Sequence, residues 1–126
     1  MQEYKYIIMA IPPSNNKYIG VNRRWDYQEA KKQWEKIIHF VCRDKPPKPI
    51  QKAIVNITYY FKDNIRRDPD NYSGKMLLDG LVRAGVIEDD SFKNIDLVLK
   101  AYFKCKEPRI EITITPIEKI EIEEFL

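Results

Sequence analysis

The sequence predicts an α+β fold in the order β-α-β-α-β-β, with a mixed or antiparallel four-stranded sheet and two helices against it. Three observations predict it. The 126 residues suffice for one domain with a single core. Short segments alternate apolar and polar residues, as strands do, and two longer ones repeat apolar residues every three or four positions, as amphipathic helices do. The sequence holds no internal repeat, so we expect residues 1–126 to form one domain.

The first strand and the first helix are predicted before residue 45. Residues 4–11, YKYIIMAI, form a short apolar run that stops at a Pro-Pro pair and is typical of a strand. After a polar loop, apolar residues such as Trp34 and Ile38 recur at three- and four-residue steps between charged residues. This spacing predicts an amphipathic helix from about 25 to 43, with the Trp34 stripe in the core.

The second strand is predicted over residues 53–61, AIVNITYYF. Its alternation puts Val55, Ile57, Tyr59 and Phe61 on one face and polar or smaller residues on the other. The stretch DKPPKPI before it has three prolines in seven residues and cannot continue the first helix. It therefore connects two elements of the same domain.

The second helix is predicted to begin near Asn71 to Ser73, which are all competent N-cap residues, and to end at Gly85. Its buried face should hold Leu77, Leu78, Leu81 and Val82.

Two more strands are predicted after the turn VIEDDS. Leu97, Leu99, Ala101 and Phe103 alternate with polar residues, and residues 110–114 alternate isoleucine with glutamate and threonine up to a proline. The linker KCKEP between them is short enough for a β-hairpin.

Composition and termini indicate a soluble protein. Hydrophobic residues make up 44% and charged residues 33%, as in ordinary globular domains. No run is long enough to span a bilayer, and the N-terminus lacks the pattern of a secretory signal. We therefore expect a cytoplasmic protein without a membrane partner.

The cysteine and histidine content excludes several kinds of site. Cys42 and Cys105 lie far apart without a CxxC spacing, which indicates neither a disulfide framework nor a zinc site. His39 is the single histidine and is expected at the surface, so a histidine-based catalytic triad or multi-histidine metal site has too few parts.

The charge is unevenly distributed. The net charge is +3, but residues 118–126 form an acidic tail with four glutamates and one lysine, which leaves 21 basic and 15 acidic residues in the body. A basic body is compatible with a protein that contacts phosphates.

The stretch RRDPDNYSGK, residues 66–75, concentrates acids and cations directly after the second strand. Asp68 is biased toward extended geometry by the proline that follows it. Residues two apart in an extended chain point to the same side, so we expect Asp68 and Asp70 to be directed at one volume. Two carboxylates so placed repel unless one is protonated or a cation lies between them.

A third carboxylate is expected from Asp89 or Asp90. A second helix packed antiparallel to the sheet would return the chain near its starting point, where one of these acids can join Asp68 and Asp70. Three oxygen ligands without histidine or cysteine favour a hard ion such as Mg²⁺ or Mn²⁺. Such ions support phosphodiester hydrolysis.

Lys75 lies in the first turn of the predicted helix, where the helix dipole disfavours a cation. Next to an acidic metal site its ammonium could contact the phosphate or orient the attacking water. The alternative is an ordinary ion pair with Asp79 at i, i+4.

The residues alone leave structural alternatives open. DPDN is also good turn and capping chemistry, and EDDS is also a plain solvated turn. A calcium EF-hand does not fit, because Ser73 and Asp79 occupy the positions of its glycine and glutamate. The PD-(D/E)xK nuclease signature is absent, since no acid stands two residues before a lysine after Asp70.

The loop at 12–25 and the acidic stretch carry residues suited to phosphate contacts and base stacking. The alternative is a solvated loop in which Trp25 anchors the first helix. The residues that we predict to contact DNA are Asn15, Lys17, Arg23, Arg24, Arg66, Arg67 and Asn71.

The stretch RRDPDNYSGKMLLDGLVRAGVIEDDS, together with the early PPSNN, resembles the RusA family of Holliday-junction resolvases, which occurs in bacteria and often in prophages. The resemblance implies a RusA-like fold and a homodimeric, Mg²⁺-dependent endonuclease that nicks two strands of a four-way DNA junction at symmetric positions during recombination and repair. It implies Asp68, Asp70 and Asp90 as metal ligands and catalytic residues, with Lys75 as the catalytic lysine. One departure is visible, because Lys75 follows Asp70 by five residues and the family pattern has four.

Two other functions compete with this one. The first is a protein of the same fold that binds branched DNA without cutting it. The second is a structural module whose acids only cap a helix.

Overall fold

The structure, a computed structural model, describes residues 2–20 and 23–117. It has four strands, two α-helices and two short 3₁₀ helices. In chain order they are β1 (Tyr4–Ile8), a 3₁₀ helix (Asn15–Tyr18), α1 (Arg24–Val41), β2 (Ala53–Tyr60), a 3₁₀ helix (Pro69–Tyr72), α2 (Lys75–Arg83), β3 (Ile95–Tyr102) and β4 (Arg109–Pro116). This order confirms the predicted α+β fold. The acidic tail lies outside the described residues.

The four strands form one mixed sheet in the order β1-β4-β2-β3. β4 runs antiparallel to β1 and to β2, whereas β3 runs parallel to β2. The predicted β3–β4 hairpin is therefore wrong. Since β2 lies between them, the linker KCKEP carries the chain past the end of β2.

Both helices cover one face of the sheet, and the alternation of each strand decides which side chains they bury. Val55, Ile57 and Tyr59 of β2 and the isoleucines of β4 lie on this face, as predicted. Burying such side chains contributes roughly 1.5–3 kcal/mol each to folding. The largest fully buried side chains are those of Ile38, Cys42, Val55, Ile57, Leu77, Leu81, Val86, Ile87, Ile110, Ile112 and Ile114.

The two helices touch each other closely at Gly80. A Cβ at this position would lie 2.8 Å from Cγ1 and 3.0 Å from Cβ of Ile38, so only glycine allows α2 to approach α1 this far. Trp34 and Ile38 of α1 are buried and His39 is exposed, as the periodicity predicts.

α2 begins differently from the prediction. Its N-cap is Gly74, in the left-handed region at φ +79, and no side chain caps it. Residues 69–72 form a separate 3₁₀ helix before it. The predicted N-cap at Asn71 to Ser73 is therefore wrong, because these residues belong to the preceding turn. The helix is followed, as predicted, by a left-handed glycine, Gly85.

Among the described residues no helix is of a length and hydrophobicity that would cross a membrane.

Candidate active site

The DPDN turn starts in extended geometry and then reverses. Asp68 has φ −101 and ψ 142, which confirms the predicted extended conformation. The chain turns at Pro69, and the Asn71 N–H donates to the Asp68 carbonyl at 3.0 Å. Asp70 is therefore in a 3₁₀ helix. We expected Asp68 and Asp70 to lie on one side of an extended segment, and this expectation is wrong because the backbone is extended only at Asp68.

Both carboxylates of this turn are open to solvent. The Asp68 side chain is half-exposed and accepts a hydrogen bond from Nε of Arg66 at 3.2 Å, while Asp70 is exposed. Arg66 itself is 89% exposed, so its guanidinium can move to another partner at little cost. The pair leaves Asp68 accessible from outside.

Asn15 joins the early loop to this turn. Its Nδ2 donates to the Asp70 carbonyl at 3.1 Å and to Oγ of Ser73 at 3.2 Å. The preceding Ser14 caps the first 3₁₀ helix through its hydroxyl, which accepts from the Asn16 N–H at 3.2 Å. The PPSNN motif therefore holds the DPDN turn in place. No sequence pattern predicted this contact between the two motifs.

Lys75 is the first residue of α2, in the first turn as predicted, and its side chain is exposed. It lines a shallow depression together with residues of the early loop and the turn. The alternative ion pair with Asp79 is not present in the described structure. Asp79 instead pairs with Nζ of Lys31 in α1 at 3.7 Å. Within the described residues the Lys75 ammonium therefore has no carboxylate partner and is available to a ligand.

Asp90 lies in the turn between α2 and β3 and lines a cleft that Leu78 and Ile95 also line. Its N–H donates to Oδ1 of Asp89 at 2.9 Å. Partial burial raises the pKa of the Asp90 carboxyl, and the carboxylates of Asp79 and Asp89 raise it further. Asp90 therefore sits in an acidic neighbourhood beside α2.

The acids fit a hard cation by their chemistry. All are carboxylates, and the like charges around Asp90 would be relieved by a divalent ion. Within residues 2–20 and 23–117, however, no group of three or more His, Cys, Asp or Glu side chains is arranged to hold a metal ion. Ligation by Asp68, Asp70 and Asp90 together stays a prediction.

Arg67 differs from its neighbour Arg66 in being held in place. Its Nη1 donates to Oδ1 of Asp63 at 2.6 Å, and its guanidinium lies 4.2 Å from the centre of the Phe61 ring. These contacts stabilise the loop between β2 and the DPDN turn. The hydrogen bond from Arg67 also lowers the pKa of the Asp63 carboxyl.

An aromatic cavity of about 70 Å³ opens beside Asp68. Tyr59, Phe61 and Tyr72 form its floor, with ring centres 5.2–5.6 Å apart. No sequence pattern indicated this cavity, because its rings come from a strand and a turn that meet only in the fold. Its lining also includes Arg67, Asp68, Pro69, Leu99, Lys100 and Ala101.

The remaining predicted DNA contacts lie near the start of α1. Lys17 and Arg24 are exposed, and Arg23 pairs with Asp26 at 3.5 Å on the surface. Trp25 is 85% exposed, so it does not anchor α1. Contact with DNA stays a prediction for each of these residues and for Asn71.

The sequence model of one protein family, described as endodeoxyribonuclease RusA, matches residues 10–115. This range contains the Asn15 loop, the DPDN turn, Lys75 and Asp90. A comparison with curated proteins finds no match.

Proposed function

The chain belongs to the RusA endodeoxyribonuclease family, whose members are structure-specific nucleases of Holliday junctions, and we propose that it resolves such junctions by Mg²⁺-dependent, paired phosphodiester hydrolysis. We place this activity in DNA recombination and repair in the cytoplasm. Mn²⁺ would serve as an alternative ion.

One observation carries the proposal beyond family membership. Asp68, Asp70 and Lys75 lie on a single turn-to-helix unit within the matched range, and Asn15 holds that unit from a distant part of the chain. Two accessible carboxylates and an uncommitted ammonium on one rigid unit suit a phosphate that is being cut.

Asp68, Asp70 and Asp90 would hold the ion. When bound, Mg²⁺ would supply Lewis-acid activation of a water and stabilisation of the charge on the scissile phosphate. The pKa of Asp90 is raised in the structure, so a cation at this carboxylate would also relieve its repulsion from Asp79 and Asp89.

Lys75 and Arg66 supply positive charge from the chain itself. Lys75 is exposed at the start of α2 and has no carboxylate partner among the described residues, so its ammonium can contact a phosphate oxygen or the leaving oxygen. The Arg66 side chain is exposed, so its guanidinium can exchange Asp68 for a backbone phosphate.

The enzyme acts as a homodimer in this proposal. A four-way junction has approximate two-fold symmetry and presents two equivalent phosphates. A C₂ dimer supplies one site for each, which makes paired, symmetric nicks possible.

The test is incubation of the purified chain with labelled four-way junctions and with linear duplexes of the same sequence, in Mg²⁺ or in chelator. We expect symmetric nicks in the junction only, and only with Mg²⁺. Asp70→Asn, which keeps the size and removes the charge, should bind the junction without cutting it. Wild-type binding without cutting would instead support the non-cleaving branched-DNA-binding protein, and indifference to branching would leave a structural module.

A further inference from the structure

We propose that two copies of this chain pair through the open edge of β3, in an antiparallel β3–β3 contact centred on Val98. The inference rests on the homodimer of the proposed function and names the surface that forms it. The occupant of the edge is therefore a second copy of the chain.

β3 is an edge strand with an unused row of backbone groups. In the described part of the chain it pairs with β2 and with no other strand. The Ala53 N–H donates to the Asn94 carbonyl at 2.9 Å, and the Phe61 N–H donates to the Tyr102 carbonyl at 2.8 Å. Even-numbered residues of β3 thus direct their backbone groups at β2.

The odd-numbered residues Leu97, Leu99 and Ala101 consequently direct their N–H and C=O groups away from the sheet. No loop hydrogen bond within residues 2–20 and 23–117 reaches these groups. Eight residues of regular strand without a proline form a ready template for another strand. The other edge strand, β1, has only five residues.

Apolar side chains along this edge are more exposed to solvent than those of the central strand β4. On the face that carries the helices, β4 buries its isoleucines completely, but Leu97 of β3 is 38% exposed. Phe92, just before the strand, is fully exposed and lines a cleft with Leu78 and Leu97. Apolar groups that border an unpaired edge indicate an interaction surface.

Charge complementarity selects a second copy as the partner and fixes the register. Around a two-fold axis through Val98, Asp96 lies opposite the partner's Lys100, and the same pair occurs again on the other side of the axis. Opposite charges that face each other across antiparallel strands are favourable. On the helix face Leu97 lies opposite the partner's Leu99. Moving the axis to Asp96 or to Lys100 would place like charges against each other.

The backbone groups agree with this register. Leu97 and Leu99 point their backbone outward, so they form the hydrogen-bonded pairs, and Val98 faces its own copy in a non-hydrogen-bonded pair. Leu99, Lys100 and Ala101 also line the cavity beside Asp68. The two cavities therefore flank the axis, within roughly 10 Å of it along the strand at about 3.3 Å per residue.

Disulfide trapping tests the register. In a non-hydrogen-bonded pair the two Cα atoms are about 4.5 Å apart, which suits a disulfide. We expect Val98→Cys in a Cys105→Ser background to cross-link under mild oxidation. Asp96→Cys in the same background should not, because two copies of residue 96 would be about 14 Å apart, four residues at 3.4 Å each. The Cys105→Ser variant alone should also stay uncrosslinked.

Charge exchange tests the pairing by a second route. Asp96→Lys and Lys100→Asp alone should each raise the dimer dissociation constant at least about tenfold, because each creates two like-charge contacts. The double variant should restore dimerisation. Sedimentation equilibrium measures all four proteins, and junction nicking is measured separately.

The outcomes separate this inference from the proposed function. A dimeric wild type whose Val98→Cys variant does not cross-link would overturn the β3 surface and leave the homodimer and the nuclease standing. A cross-link that forms only after residues 118–126 are removed would also overturn it, since the chain itself would then cover the edge. A wild type that nicks junctions as a monomer would overturn both the surface and the dimer.

Discussion

Asn15 and Asp70 are 55 positions apart in the chain, and Nδ2 of Asn15 donates to the Asp70 carbonyl at 3.1 Å. The same amide also reaches Ser73, so one side chain ties both ends of the turn that carries the predicted metal ligand. This contact makes Asn15 a positioning residue for the acidic turn.

Asn15→Ala should therefore slow junction nicking with little effect on junction binding. Loss of the two hydrogen bonds frees the turn, and a misplacement of about 1 Å near the chemistry costs on the order of 10²-fold in rate at most. Single-turnover rates and junction dissociation constants give the two quantities. Asn16→Ala is the matched control, because Asn16 is exposed and its hydrogen bonds among the described residues use its backbone, which alanine keeps. A loss of binding with an unchanged rate would show that Asn15 contacts DNA instead.

Gly74 should be much less tolerant of alanine than Gly85. Both have φ +79, so alanine strains the backbone by roughly 1–2 kcal/mol at either position. At Gly74 the new Cβ would also lie 2.6 Å from Cδ1 of the buried Ile57, whereas at Gly85 nothing lies within 4 Å. We expect Gly74→Ala to lower the free energy of unfolding, measured in urea, by about 1–3 kcal/mol more than Gly85→Ala does.

A second substitution checks the cause of that difference. Ile57→Val removes the Cδ1 atom that the new methyl group meets. It should lower the free energy of unfolding less in the Gly74→Ala background than in wild type. Equal losses of unfolding free energy in both backgrounds would mean that the clash with Ile57 is not what destabilises Gly74→Ala.

Cys42 should make stability depend on pH above 9. Burial raises the pKa of its thiol from the usual value of 9.0 to about 12. Above pH 9 the unfolded state loses this proton and the folded state keeps it, so the thiol's contribution to stability is complete below pH 9 and declines between pH 9 and about 12.

The measurement is the difference in unfolding free energy between wild type and Cys42→Ala, in which titrating groups that do not interact with Cys42 cancel. This difference should fall by about 1.4 kcal/mol per pH unit above pH 9. Alkylation gives a second readout, because the half-buried Cys105 should react in the folded protein and Cys42 should not. A difference independent of pH would contradict the burial of Cys42.

Much of the fold could be predicted because hydrophobic periodicity reports burial directly. The alternation of Val55, Ile57 and Tyr59 and the helical spacing of Trp34 and Ile38 correctly indicated element types and buried faces. Sheet order could not be predicted in this way. A short linker between β3 and β4 is compatible with a hairpin, and only the tertiary pairing of both strands with β2 excludes it.

The site was predictable where its chemistry is local in sequence. Lys75 is found at the helix start that the motif implied, whereas Asp68 is separated from β2 by a loop. The predicted N-cap of α2 was wrong because Asn71 and Ser73 are good caps in isolation, but Asn71 lies within the 3₁₀ helix after Asp68 and Ser73 is the C-cap of that helix. The Asn15 contact and the aromatic cavity depend on segments that meet only after folding, so no local pattern shows them.

We propose that Asp90 joins Asp68 and Asp70 at one hard cation, and a comparison of Asp90 with its neighbour Asp89 tests this ligand set. The measurement is the Mg²⁺-dependent nicking rate of a four-way junction for wild type, Asp90→Asn and Asp89→Asn, with junction binding measured alongside. We expect Asp90→Asn to lose on the order of 10²–10³-fold in nicking rate and Asp89→Asn to stay near wild type, with junction binding retained by both. Unchanged nicking by Asp90→Asn would show that Asp90 does not hold the ion.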